Sequence, residues 1–297
     1  MDRATAFVSA TDRAAAGEPD GGSAIRPARP FPLVVLGLLI GAYSTLCGIG
    51  GGVFAVPLLH YVYGFPLRTA VANSLVLVAA STVSATLIEG VHPDSALRFD
   101  VIATLVAGSL VGSLLGFAIG KRVSTRVLKM IFAVLLVGVA IQLLVDDGTG
   151  VFVAGTARHE LERWDFAVVA VIGFCAGIVA PLLGIGGGLV AVPALLYLVP
   201  GLGFLTARAC SMAMSTVTAW QSVWLYRRDG EIHSRASLWL AGGAVIGAAI
   251  GIQLVHVEIV ARSARVLVAF ALVFAAARFA WDLATARNRS RKQQSGR

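Results

Sequence analysis

Three adjacent glycines interrupt an apolar run at two places in this chain. The first copy reads Cys47-Gly48-Ile49-Gly50-Gly51-Gly52-Val53-Phe54-Ala55-Val56-Pro57. The second reads Leu183-Gly184-Ile185-Gly186-Gly187-Gly188-Leu189-Val190-Ala191-Val192-Pro193. With Gly48 aligned on Gly184, nine of the twelve positions through Leu59 and Leu195 are identical, so the chain reads as two related halves. A helix through such a run gives up about 1 kcal/mol per glycine relative to alanine, and each copy therefore predicts a helix break. In hydrocarbon, freed N–H and C=O groups are costly, so a break at membrane depth has to be buried in protein or line a wet cavity. Close packing through small residues accounts less well for three adjacent glycines that recur with a matched proline, Pro57 and Pro193.

Membrane depth is the relevant setting. Of 297 residues, 57% are hydrophobic and 13% charged, which describes a polytopic membrane protein. The net charge of +8 sits in tails and short loops, as in cytoplasmic segments of bilayer proteins, and does not point to nucleic acid. Cys47, Cys175 and Cys210 lie inside apolar stretches without a CxxC spacing. They read as small buried hydrophobes, and neither a metal nor a cofactor is expected.

In order, residues 1–30 read as a disordered tail, 31–145 as a first transmembrane repeat, 146–164 as a linker, 165–283 as a second repeat and 284–297 as a basic tail. The arms 31–46 and 53–63 around the first glycine knot are each short of the roughly 20 residues a crossing needs. Apolar spans follow over 69–88, 101–120 and 127–145. The second half has 165–183, the knot, a short arm 189–199, and spans over 205–225, 236–255 and 263–282. Basic clusters at Lys121, Arg122, Arg126 and Lys129, at Arg227, Arg228 and Arg235, and in the C-terminal tail predict cytoplasmic loops. The loop 89–100 and the acidic linker then face outside. Counting spans between these anchors gives three full spans per half after a unit that begins and ends on one side. The expected fold is all-α, with two inverted repeats, each carrying a re-entrant, glycine-broken unit.

No Asp, Glu, Lys or Arg lies near the centre of a span, and His60, His256 and Arg278 sit at span ends. HExxH, paired intramembrane carboxylates, a nucleophile elbow with its His and a Walker loop are all missing from the sequence, so it does not read as an enzyme. Small polar groups instead recur beside both knots. Thr69-Ala70-Val71-Ala72-Asn73-Ser74 and Thr206-Ala207-Arg208-Ala209-Cys210-Ser211 are offset by 137, an offset that also pairs Ser81 with Thr218 and Ser84 with Gln221. Hydroxyls and amides can replace an anion's water shell, although Ser and Thr also bond their own helix backbone. The arms starting at Val53 and Leu189 add helix N-termini, each equivalent to roughly half a positive charge. The substrate-binding candidates are thus Gly48, Gly50, Gly51, Gly52, Asn73 and Ser74 in one half, and Gly184, Gly186, Gly187, Gly188, Cys210 and Ser211 in the other. Together they predict an anion site with no buried Arg or Lys to slow release.

The duplicated Gly-Ile-Gly-Gly-Gly-x-x-x-Val-Pro pattern, each followed by a Ser-containing helix, resembles the TauE/SafE family of sulfite-exporter-like permeases over about 31–283. The resemblance implies a multi-pass permease of the bacterial inner membrane that moves small sulfur-containing anions such as sulfite or sulfoacetate. It draws attention to Gly48, Gly50 to Gly52, Pro57, Gly184, Gly186 to Gly188 and Pro193. The family's Ala-x-x-Thr-Ser-Leu pattern resembles Ala70 to Leu75 and Ala207 to Met212, with Asn73 and Cys210 in place of threonine. The expected function is export of a small oxyanion by alternating access. The alternatives are an uptake permease for another small organic anion and a non-transporting membrane scaffold, which would not need two matched breaks. The expected partners are the anion and the lipid bilayer. Gly108, Gly112 and Gly116 form one face of a span, expected to pack inside the monomer, with packing in a homo-oligomer as the alternative.

Overall fold

The computed structural model describes residues 30–124 except Ile49 and Asp94, scattered positions within 127–138, and 162–254 except Pro200. The N-terminal tail, nearly all of the linker, the expected span over 263–282 with Arg278, His256 and the C-terminal tail lie outside the described residues. So does most of the expected span over 127–145.

Among the described residues the structure is helical without strands. The helices are α1 (Pro30–Cys47), α2 (Gly52–Tyr61), α3 (Leu67–Val91), α4 (Phe99–Arg122), α5 (Arg163–Leu183), α6 (Gly188–Leu198), α7 (Phe204–Arg228) and α8 (Ser234–Leu254). Helix α5 starts two residues before the expected boundary at 165, because Glu162 and Asp165 close a capping box around its first turn. Leu67–Val91, Phe99–Arg122, Arg163–Leu183 and Arg235–Gln253 are long and apolar enough to cross a bilayer. Helix α7 is equally long, at 25 residues, but carries Arg208 and a run of Ser and Thr. Protein rather than lipid covers most of it, from α3, α4, α5 and α6.

Helices α3 and α7 pack on each other at the centre. Thr69 meets Glu231, Thr86 meets Thr216 and Glu89 meets Arg208, so these two corresponding helices run antiparallel. Helix α8 runs parallel to α3, with Asn73 beside Ser237 and Ser84 beside Val245. Helix α4 runs parallel to α7, with Ser109 beside Thr218 and Ser113 beside Gln221. The outermost pairs are exchanged between halves: α1 lies along α8, and α5 along α4.

Both exchanged pairs are glycine seams. Gly108, Gly112 and Gly116 of α4 lie against the backbone at Ala170, Phe174 and Ile178, while Gly173 and Gly177 of α5 face Leu105 and Ser109. In the second seam Gly243, Gly247 and Gly251 of α8 lie against Val34, Leu38 and Ala42, while Gly37 and Gly41 of α1 face Leu240 and Ala244. A methyl group at any of these positions would run into a carbonyl of the neighbouring helix. This close approach is how membrane helices gain dispersion contacts when lipid is as apolar as their side chains. The Gly108, Gly112 and Gly116 face therefore packs within the chain. Cys175, expected to be buried, lies on the exposed side of α5.

Most of the described basic residues gather at one end. Arg68 donates to the carbonyls of Gly120, Lys121 and Val123, and Lys121 pairs with Asp229 at 2.6 Å. The start of α3, the end of α4, the end of α7 and the start of α8 thereby bring Arg122, Arg227, Arg228 and Arg235 to the same side. Glu89, Arg98, Asp100 and Arg208 occupy the opposite end.

The seams are tested by a pair of neighbouring glycines. Gly243→Ala should cost about 1–3 kcal/mol of stability through overpacking, read as a lower thermal midpoint in detergent. Gly242→Ala, with nothing within 4 Å of the added methyl, should leave the midpoint unchanged or raised. Equal effects at the two positions would contradict the seam.

Candidate functional site

The glycine knots end α1 and α5 and reverse the chain. Gly51 and Gly187, at φ +65° and +86°, hold the left-handed backbone that a side chain disfavours, and they start α2 and α6 without a side-chain cap. Gly51 lies beside Ile40, Ser44 and Leu77, whereas Val56 lies at Gly184, over Val71 and Ser74. Helix α2 thus turns back toward the start of α3. Helix α6 has the corresponding contacts, with Gly187 against Ala176 and Met214.

The two knots touch. Gly50 and Gly52 face the backbone of Ile185 and Gly184, and Val78 fits between Gly50 and Gly186. Two crossed hydroxyl bonds fasten this junction. Ser74 of the first half donates to the Gly184 carbonyl at 2.9 Å, and Ser211 of the second half donates to the Gly48 carbonyl at 3.4 Å. The preceding residue in each half reaches a loop of the other half. Asn73 accepts from the His233 amide at 3.0 Å and from the Ser237 hydroxyl, and donates to the Thr69 carbonyl at 2.6 Å. Cys210 donates to the Arg98 carbonyl at 3.7 Å. The repeat offset of 137 therefore records a bonding pattern in which each half holds the other's knot and loop.

The remaining polar repeats are engaged in packing. Ser81 bonds the Val78 carbonyl of its own helix, and Ser84 the Val245 carbonyl of α8. Thr218 and Gln221 bond Ser109 and Ser113 of α4. His60, expected at a span end, is instead buried in the α2–α3 turn, with Nδ1 2.8 Å from the Phe65 carbonyl.

Unmet hydrogen-bonding capacity marks where a ligand could sit. The hydroxyls of Ser44 and Ser215 and the Nε of Arg208 are buried without a hydrogen-bond partner. Ser44 stands beside Gly51, Ser215 beside Gly186, and the Arg208 side chain against Gly48. Such orphans are rare in folded interiors because each costs about 1–3 kcal/mol. Here three converge on the knots, where two uncapped helix starts add further donors. Donors of this kind suit an anion. Among the described residues, no three His, Cys, Asp or Glu side chains group as metal ligands.

The expectation that the site lacks a buried basic residue is overturned. Arg208 is 2% exposed and pairs with Glu89 at 2.6 Å. Sequence reading placed both residues toward span ends, and only the antiparallel packing of α3 on α7 brings them together at the first knot. Arg208 also donates to the Thr45 carbonyl at 3.1 Å, one of the groups left unpaired where α1 stops. At the end of α5 the Tyr226 hydroxyl does the same for the Pro181 carbonyl at 2.8 Å. Tyr226→Phe should strand that carbonyl and lower stability by about 1–3 kcal/mol, measured by thermal unfolding in detergent. An unchanged midpoint would show that the carbonyl finds another donor.

The family profile described as sulfite exporter TauE/SafE matches residues 4–143 and 169–297. Among curated proteins, the probable membrane transporter protein MamO of Magnetospirillum gryphiswaldense is 33% identical over 150 residues, and its namesake in Paramagnetospirillum magneticum 31% over 150 residues. Each alignment covers 48% of this chain and 23% of the relative, so the chain matches less than a quarter of those proteins' length. No solved structure matches the chain significantly.

Proposed function

Because the chain belongs to the TauE/SafE family of membrane transporters, we propose that it exports a small sulfur-containing oxyanion, such as sulfite or an organosulfonate, across the bacterial inner membrane. The observation that carries this proposal is the contact between the two knots, flanked by the orphaned hydroxyls of Ser44 and Ser215. Gly48, Gly50 to Gly52, Gly184 and Gly186 to Gly188 form the walls of the proposed site, and Asn73, Ser74, Cys210 and Ser211 hold those walls in place. A pyramidal or tetrahedral oxyanion presents oxygens in several directions. It can therefore accept from donors on both knots at once, which a planar carboxylate does less completely. The sulfur specificity and the direction rest on the family's description.

The antiparallel course of α3 and α7, and the exchange of α1 and α5 between halves, support inverted repeats related by an axis in the bilayer plane. On that reading each α1–α2 or α5–α6 hairpin is re-entrant, and the two enter from opposite faces. Rocking of the group α1, α2, α3 and α8 against the group α4 to α7, which leaves both seams intact, would expose the knot junction to each side in turn. The basic end, with Arg68, Lys121, Arg227 and Arg228, then faces the cytoplasm.

Flux into proteoliposomes tests the proposal, with sulfite, sulfate, sulfoacetate and acetate compared. Selective movement of a sulfur oxyanion is expected. Ser44→Ala with Ser215→Ala should reduce that flux about 10-fold or more, as expected when donors to a bound anion are lost. The same variant should keep its thermal midpoint, because no bond within the protein is lost. Acetate flux alone would overturn the substrate, and an unaffected double variant would overturn the site.

A further inference from the structure

The charged pair at the first knot has no equivalent at the second. At the offset of 137, Arg208 corresponds to Val71, and Glu89 to Tyr226. The backbone need is nevertheless the same in both halves, since Thr45 and Pro181 occupy equivalent places in the last turns of α1 and α5. A neutral phenol meets that need at Pro181, so carbonyl capping does not require a guanidinium at Thr45. Burying an ion pair also brings a desolvation penalty that its attraction scarcely offsets. Arg208 keeps Nε unpaired although it is 97% or more buried, and its stem lies against Gly48. Glu89 retains 14% side-chain exposure.

We propose that Arg208 is the cation that receives the transported anion at the first knot, and that Glu89 is an internal stand-in for that anion, leaving Arg208 in protonated form as the anion arrives. This inference rests on the transport reading above. No covalent bond to carbon changes. A proton delivered by hydronium from the bulk solution joins Glu89 Oε2 and leaves water behind, the bond from Arg208 Nη2 to that oxygen opens, and the anion's oxygens accept from Nη2 and the unpaired Nε. The site holds one positive and one negative charge before the exchange. Afterwards it holds the guanidinium, a neutral carboxylic acid and one monoanion. It stays neutral throughout, whereas adding an anion to the intact pair would leave a net negative charge in a low-dielectric interior. One proton therefore accompanies each monoanion.

The groups around Glu89 are few. Helix α7 contributes Arg208 and the Cys210 thiol, and the start of α4 contributes the Arg98–Asp100 pair. His92 caps the end of α3 itself. Helix α1 brings no Asp, Glu, Lys, Arg or His, and α5 has Arg163 and Asp165 only at its start. His60 of α2 and Arg235 of α8 lie toward the opposite end.

Methanesulfonate is the probe, because its single charge is constant from pH 5 to 8 and any pH dependence then belongs to the protein. Wild type in proteoliposomes should take it up with proton co-movement, and its KM should fall as pH falls, by up to about tenfold per unit for one linked proton. Glu89→Gln should give a low, pH-independent KM and no accompanying proton uptake. His92→Gln should keep the wild-type profile. Arg208→Gln should raise KM at least tenfold. Should that variant not fold, the Glu89→Gln profile decides. A Glu89→Gln protein that retains the wild-type pH slope overturns the proposal, as does sulfite flux in a wild type that does not carry methanesulfonate. Absence of any anion flux in wild type overturns the transport reading itself.

Discussion

A broken helix inside a membrane has to find hydrogen-bond partners that lipid cannot supply, and the rest of this structure follows from that requirement. The knots release carbonyls at Thr45, Gly48, Pro181 and Gly184. All four are met by side chains from the central helices α3 and α7. Three of those donors are neutral hydroxyls and one is a guanidinium. The Gly48 and Gly184 bonds cross between halves, so each knot takes a hydrogen bond from the opposite half. Three of the four freed carbonyls are met from the opposite half, which gives a physical reason for the duplication.

The glycine seams solve a second problem. Fastening two knots at the centre requires α3 and α7 to lie side by side, with the outer helices closed around them. Exchanging α1 and α5 between halves does this, and ten glycines let the exchanged helices approach at backbone distance. The seams fasten α1 to α8 and α5 to α4, so they themselves join the two halves, while the group α1, α2, α3 and α8 meets the group α4 to α7 along α3 and α7 and at the knots. Symmetry of scaffold coexists with asymmetry of charge. The two knots are built alike, but among the described residues a buried ion pair lies against the first and a neutral phenol against the second.

The knots were legible in sequence because few residues other than glycine tolerate the left-handed backbone at Gly51 and Gly187, so the feature is written in one letter type. The repeat of Ser74 and Ser211 was legible for a related reason: each bonds an equivalent carbonyl, and the offset preserves that geometry. The second glycine seam carries the same four-residue spacing as the first and could have been found by that spacing, although the offset of 137 passes over it by two residues. Ser44 and Ser215 have no polar counterpart in the other half, at Ala180 and Val78, so comparison of the repeats passes over them. The Arg208–Glu89 pair joins residues 119 positions apart, and nothing local marks either as buried. Helix α7 was readable as a helix, but its polarity signals protein around most of it, with Val217, Trp220 and Trp224 left exposed, which is a tertiary fact.

The central claim is that the junction of the two knots is the anion site, and the position of a bound anion tests it most directly. A crystal structure grown with selenite, a heavier analogue of sulfite, would show selenium by its anomalous scattering. The account predicts a peak within hydrogen-bond reach of Ser44, Ser215, Arg208 or the knot backbone between Gly48 and Gly52 or between Gly184 and Gly188. Peaks confined to the basic end, around Lys121, Arg227 and Arg228, in a protein that transports the anion would contradict it.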